Sequence, residues 1–91
     1  MLRDTLTKDR AETIALQALA FLASDPEEID RFLHASGLEI ADLRGKAGDP
    51  DLLGAVLTFI LADDTRITGL CQELNITAHD LHSANHVLGQ P

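Results

Sequence analysis

The sequence predicts an all-α fold, and three observations carry that prediction. Apolar residues recur at helical spacing in segment after segment. β-Branched residues are scattered, with no run of apolar–polar alternation to mark a strand. Two Asp-Pro pairs, Asp25-Pro26 and Asp49-Pro50, punctuate the chain with the chemistry of a helix start. Together they give one compact domain over residues 1–91, a bundle of about six helices with two long central ones.

The first helix is expected to open at Asp9-Arg10-Ala11-Glu12, a capping-box-like start, and to run to about Ala23. Residues 1–8 ahead of it are expected to fray. Ile14, Ala15, Ala18, Leu19 and Leu22 form its stripe. Leu16, Ala20, Phe21 and Ala23 widen that stripe until the helix is apolar nearly all round. Asp25 then caps the second helix, Pro26 fills its first turn, and Glu27 and Glu28 favour the positive end of its dipole. Ile29, Phe32 and Leu33 point inward, and Gly37 suits a left-handed terminus, with Leu38 after it. A short third helix, about Ile40 to Ala47, is expected to bury Ile40, Leu43 and Ala47, weakened by Gly45.

Asp49-Pro50 starts the fourth helix, about Pro50 to Ala62. Leu52, Leu53, Val56, Leu57, Phe59, Ile60 and Leu61 make it the most apolar of the set. Asp63 caps the fifth, about Asp64 to Leu74, with Ile67, Leu70, Cys71 and Leu74 inward. Asn75 is a second candidate for a left-handed terminus. Thr77 and Asp80 form a capping box for the sixth helix, whose inner side is expected to hold Ala78, Leu81, Asn85 and Leu88 before Gly89 closes it. The three Phe all read as core.

Residues 11–48 lie over residues 49–86 without a gap. Leu19, Phe21, Asp25, Ile29, Asp42 and Leu43 meet their identities at Leu57, Phe59, Asp63, Ile67, Asp80 and Leu81. Gly37 meets Asn75, so both left-handed termini coincide. The agreement of caps, which are position-specific, supports a two-fold internal repeat more than the identities do. Each half would be a long apolar helix and two short ones, the halves packing long helix on long helix.

Composition narrows function. Seven Lys and Arg stand against fifteen Asp and Glu, a net charge of −8, with three Phe and neither Trp nor Tyr. Such a chain is poorly suited to phosphate backbones, anionic lipid surfaces or base stacking. The apolar runs 14–23 and 52–62 fall short of the roughly 20 residues of a membrane span. The segment before the first run lacks the positive charge of a signal peptide. With one Cys, no internal disulfide is available, and a reduced thiol in the cytoplasm is the expectation.

Four histidines occur, and His79, His82 and His86 share one line on the sixth helix. They are candidate metal ligands and a candidate pH-responsive surface, against the simpler reading of a solvated face. His34 suits a helix C-terminus. Leu70 to Leu81 has the outline of a helix-turn-helix, but its second helix carries neither Lys nor Arg, so nucleic acid is disfavoured. Arg3, Lys8 and Arg10 concentrate base at the N-terminus and are candidates for an acidic partner or a second copy. Gly-rich phosphate loops, nucleophile motifs and paired Cys motifs are missing, so no enzyme, cofactor or small-molecule substrate is implied.

Ala11 to Leu33 (AETIALQALAFLASDPEEIDRFL), followed by Gly37-Leu38 and Ala41-Asp42-Leu43-Arg44, resembles a family of short alphaproteobacterial proteins known as a domain of unknown function. The likeness runs from about Asp9 to Gly89 and is densest in the first half. It implies a bacterial, cytoplasmic, all-helical protein and carries over no catalytic residue, ligand or partner. His79, His82 and His86 stand outside its pattern. The reading is a small non-catalytic protein-interaction or regulatory module. Leu16, Ala20 and Ala23 are an apolar strip for a second chain, and a homodimer is a candidate assembly. The alternative is a helix-turn-helix-like DNA-binding regulator.

Overall fold

The computed structural model describes residues 7–89, and every regular element among them is an α-helix. They are α1 (Lys8–Ala23), α2 (Pro26–Ser36), α3 (Ile40–Gly45), α4 (Pro50–Leu61), α5 (Asp64–Leu74) and α6 (Ala78–Leu88). Their ends are set by side chains that satisfy the free N–H groups of the first turn. Asp25 accepts from the Glu27 N–H at 3.0 Å, Asp49 from Asp51 at 2.9 Å, and Asp63 from Thr65 at 2.8 Å. Thr77 and Asp80 exchange reciprocal bonds at 3.0 and 3.1 Å. Gly37 and Asn75 both take left-handed backbone, with φ of 75° and 56°.

The start of α1 differs from the expectation. Thr7, not Asp9, is its cap, its hydroxyl accepting from the Arg10 N–H at 3.1 Å. The helix therefore begins at Lys8, and Asp9 falls within the first turn, where its charge still favours the dipole.

Fifteen apolar residues are buried, and α1 and α4 supply five each, so these two helices carry the core. Ala11, Ile14, Ala15, Ala18 and Leu22 come from α1; Leu52, Leu53, Val56, Leu57 and Ile60 come from α4. Each fully buried Leu or Ile contributes about 1.5–3 kcal/mol. α6 packs on both, through Leu81, Ala84 and Leu88. α2 and α5 flank the pair, each adding one fully buried residue, Phe32 and Leu70. Among the described residues no polar side chain is buried.

The inward assignments of Ile40, Ala47 and Ala78 are corrected, and those of Phe21 and Phe59 are narrowed. Ile40 is 48% exposed, and Ala47 lies beyond the end of α3. A helix of six residues makes fewer than two turns, and only Leu43 of its apolar set reaches the core. Ala78 is exposed because α6 meets the core from Leu81 onward, and the buried small residue there is Ala84, with Asn85 half-buried. Phe21 and Phe59 are half-buried at the core margin, and only Phe32 is fully enclosed.

Candidate functional site

Asp25 and Asp63, the caps of α2 and α5, lie beside a surface groove of about 590 Å³ between the starts of those helices and the end of α1. Across it runs an ion-pair chain. Arg66 on α5 meets Glu28 on α2 with two bonds, Nε to Oε1 at 2.8 Å and Nη2 to Oε2 at 3.2 Å. Its remaining Nη1 reaches Asp63 at 3.4 Å, and its guanidinium lies 4.2 Å from the Phe59 ring centre. Phe59 in turn meets Phe32 edge-on, with ring centres 5.6 Å apart. Glu28 also accepts from Arg31 at 3.3 Å. The hydrogen bonds that Arg66 donates to Glu28 raise its pKa further above its already high ordinary value, against the lowering effect of burial.

This cluster holds a permanent cation in a fixed place and joins two elements distant in sequence. Ser24, one of the two hydroxyls lining the groove, donates to the Phe21 carbonyl at 2.7 Å and so serves the end of α1. No local pattern in the sequence singles out Arg66. The available signal was that Glu28 and Arg66 occupy matching positions in the two halves, 38 residues apart.

A second groove, about 470 Å³, lies between α2 and α4 and is mostly apolar. Phe32 and Phe59 line it below Ala35, Ala55 and Ala62, with Asp51 at one end. It adjoins a smaller pocket of about 260 Å³ that shares Ser36, Asp51 and Ala55 and adds Asp42, Asp49 and Lys46. A third groove, about 360 Å³, lies between α1 and α5, lined by Gln17, Ala20, Phe21, Ser24, Glu73 and Leu74.

The residues singled out from sequence fall elsewhere. His79, His82 and His86 are exposed on the outer side of α6, as their spacing predicts. His79 lies 3.4 Å from the Ser83 hydroxyl. Among the described residues no group of three or more His, Cys, Asp or Glu side chains is placed to hold a metal ion. Lys8 and Arg10 are exposed in the first turn of α1, while Arg3 lies outside the described residues. Leu16 is 43% exposed, in line with exposed Ala20 and Ala23. Cys71 is half-buried, and burial, with a lesser push from the Asp80 carboxylate, raises its thiol pKa. A thiol nucleophile needs the opposite shift. Among the described residues, no helix is long and apolar enough to cross a membrane.

Neither the curated proteins nor the solved structures gave a match to the chain. A family model described as "Protein of unknown function (DUF3572)" matches residues 8–91, and the chain belongs to that family.

Proposed function

We propose that this member of a family of unknown function is a non-catalytic protein-interaction or regulatory module of the bacterial cytoplasm, a single domain built as two copies of a three-helix unit. The observation that carries the interaction reading is the apolar strip on the outer face of α1, where Leu16, Ala20 and Ala23 face solvent in a row. A half-exposed Leu alone is ordinary; in line with two apolar neighbours it offers a continuous face to a second chain. A second copy of this protein is the candidate occupant of that strip. The raised Cys71 pKa speaks for a thiol that packs rather than reacts. The DNA-binding alternative gains no support, because α6 carries neither Lys nor Arg and spends its apolar side on α1 and α4.

Three observations support the repeat. The helix caps correspond: Asp25 with Asp63, left-handed Gly37 with left-handed Asn75, and Asp42, which accepts from the Glu39 N–H, with Asp80, which accepts from Thr77. Glu28 and Arg66, equivalent positions, bond each other, as two residues beside a two-fold axis must. All six residues of the α1–α5 groove, shifted by the same 38 positions that separate Glu28 and Arg66, fall on residues of the α2–α4 groove. The third helices break the symmetry. α6 packs on α1 and α4 alike, so its seat lies near the axis and exists once. On the repeat register Lys46, just past the end of α3, stands against buried Ala84 within α6, and a Lys could not enter that seat without a partner.

Light scattering at high concentration, together with affinity capture from the native host, tests the module. Self-association lost in Leu16→Glu, or a captured partner, is the expected result. A strict monomer that captures nothing overturns it.

A further inference from the structure

The α2–α4 groove and the acidic pocket that adjoins it form one continuous surface, since Ser36, Asp51 and Ala55 line both. Its character changes along its length. At the Phe59 end the lining is aromatic and small aliphatic. At the other, Asp42, Asp49 and Asp51 outnumber Lys46. Asp42 and Asp49 are committed to helix caps, but the Asp51 carboxylate has no hydrogen bond or ion pair among the described residues. It stands exposed at the join of the two parts.

The other half supplies an internal comparison. On the repeat register, the α1–α5 groove carries Glu73 where the α2–α4 groove has Ala35, and Gln17 where it has Ala55. The α1–α5 side thus carries long polar side chains where the α2–α4 side has two alanines flanking an aromatic pair. Both grooves hold a carboxylate, but only in the latter do alanines stand where the former has Gln17 and Glu73, leaving its apolar floor open.

We propose that this trough docks a basic amphipathic segment of a partner protein, an aliphatic side chain resting on Phe59 between Ala35 and Ala55 and a Lys or Arg meeting Asp51. The proposal rests on the interaction-module reading and names the surface and the partner's chemistry. Charge complementarity selects the occupant. The molecule carries a net charge of −8 and the trough ends in carboxylates, so a second copy would bring like charge to it, whereas a basic segment is drawn in. Helix-in-groove docking supplies the geometry: apolar anchors on one face and cations flanking them.

The test uses the full isotopically labelled chain and three synthetic helices of equal length, composed of Leu and Lys, Ser and Lys, and Leu and Glu. The Leu/Lys helix is expected to shift the amides of Ala35, Ser36, Asp51, Ala55 and Thr58, and to bind about tenfold tighter than either control. Ala35→Glu with Ala55→Gln, the residues of the other half, should weaken it about tenfold at unchanged melting temperature. Asp51→Lys, at an exposed position, serves where the double variant is unstable, lowering affinity for Leu/Lys and raising it for Leu/Glu. The proposal is overturned by failure of the Leu/Lys helix to bind, by shifts centred on the α1 strip or spread over the acidic surface, or by indifference to these substitutions. Self-association abolished by Ala35→Glu would make a second copy the occupant, and overturns it as well. A partner captured from the host that still binds the Ala35→Glu, Ala55→Gln variant sinks the trough and leaves the module standing.

Discussion

Gly54 and Gly69 both stand inside helices, where Gly is less favourable than Ala by about 0.8–1.0 kcal/mol. Their surroundings differ. A Cβ at Gly54 meets nothing within 4 Å, while one at Gly69 falls 3.2 Å from the Phe21 ring. Gly54→Ala should therefore stabilise the protein by about 0.5–1 kcal/mol. Gly69→Ala should gain less or lose, because the ring must move. Urea midpoints for the two variants decide it, and equal gains would show that Phe21 does not constrain Gly69. Cys71 gives a residue-scale pH prediction. Its pKa is raised on folding, so the folded state holds the thiol proton more tightly than the unfolded chain does. That contribution is complete below the ordinary thiol range, near pH ~8.5, and is lost as pH rises through the folded value. Wild type should lose more stability than Cys71→Ala between about pH 8 and pH 10. Parallel curves would mean that the thiol is not held by the fold. Residues governed by their immediate neighbours were readable from the sequence: Asp25, Asp49, Asp63, Gly37 and Asn75 do in three dimensions what their types and positions predict. Arg66 was not, since its partner Glu28 lies on another helix.

At the scale of elements, α3 and α6 divide what the pattern treats alike. Both follow a left-handed terminus and both have an Asp that accepts from the N–H at the helix start. Only α6 buries a stripe, so its cap bears on the core. Thr77→Ala should cost about 1 kcal/mol, read from thermal or urea unfolding. Ile40→Ser, on α3, should change little, because half of that side chain already faces water. A large loss at Ile40 would show α3 to be part of the cooperative core. Helix existence and type were legible because periodicity and caps are local. Which apolar faces would be covered was not, because coverage depends on which third helix takes the seat between α1 and α4. On the repeat reading, the register sets Ala84 of α6 against Lys46 just past the end of α3, a difference without meaning until the packing is known. Sequence did mark Leu16, Ala20 and Ala23 as one strip, since three positions on a helix face need no tertiary knowledge.

At the scale of the molecule, the Glu28–Arg66 pair offers a test of the repeat. Charge reversal at either position leaves like charges facing each other in a pair whose side chains are only 21% and 16% exposed, and should cost about 1–3 kcal/mol. Exchanging them, Glu28→Arg with Arg66→Glu, rebuilds the pair in the opposite sense. On the repeat register the relocated guanidinium would find Phe21 where Phe59 was and Asp25 where Asp63 was. The exchange should recover at least half of the loss, measured as a double-mutant cycle. No recovery would argue that the two halves are not equivalent around these positions. The His79, His82 and His86 line, by contrast, faces outward and forms no group placed to hold a metal ion among the described residues.

The single seat taken by α6 also sets an order of events. α1 and α6 come from opposite ends of the described chain, yet they pack together more extensively than any other pair of helices. While the protein is being synthesised, the faces of α1 and α4 that α6 covers must wait until residues 78–88 have left the ribosome. Closure is thus a late, long-range step, and loop closure over nearly the whole chain gives it a high entropic threshold. Until then the face that residues 78–88 finally shut is open to solvent and to chaperones.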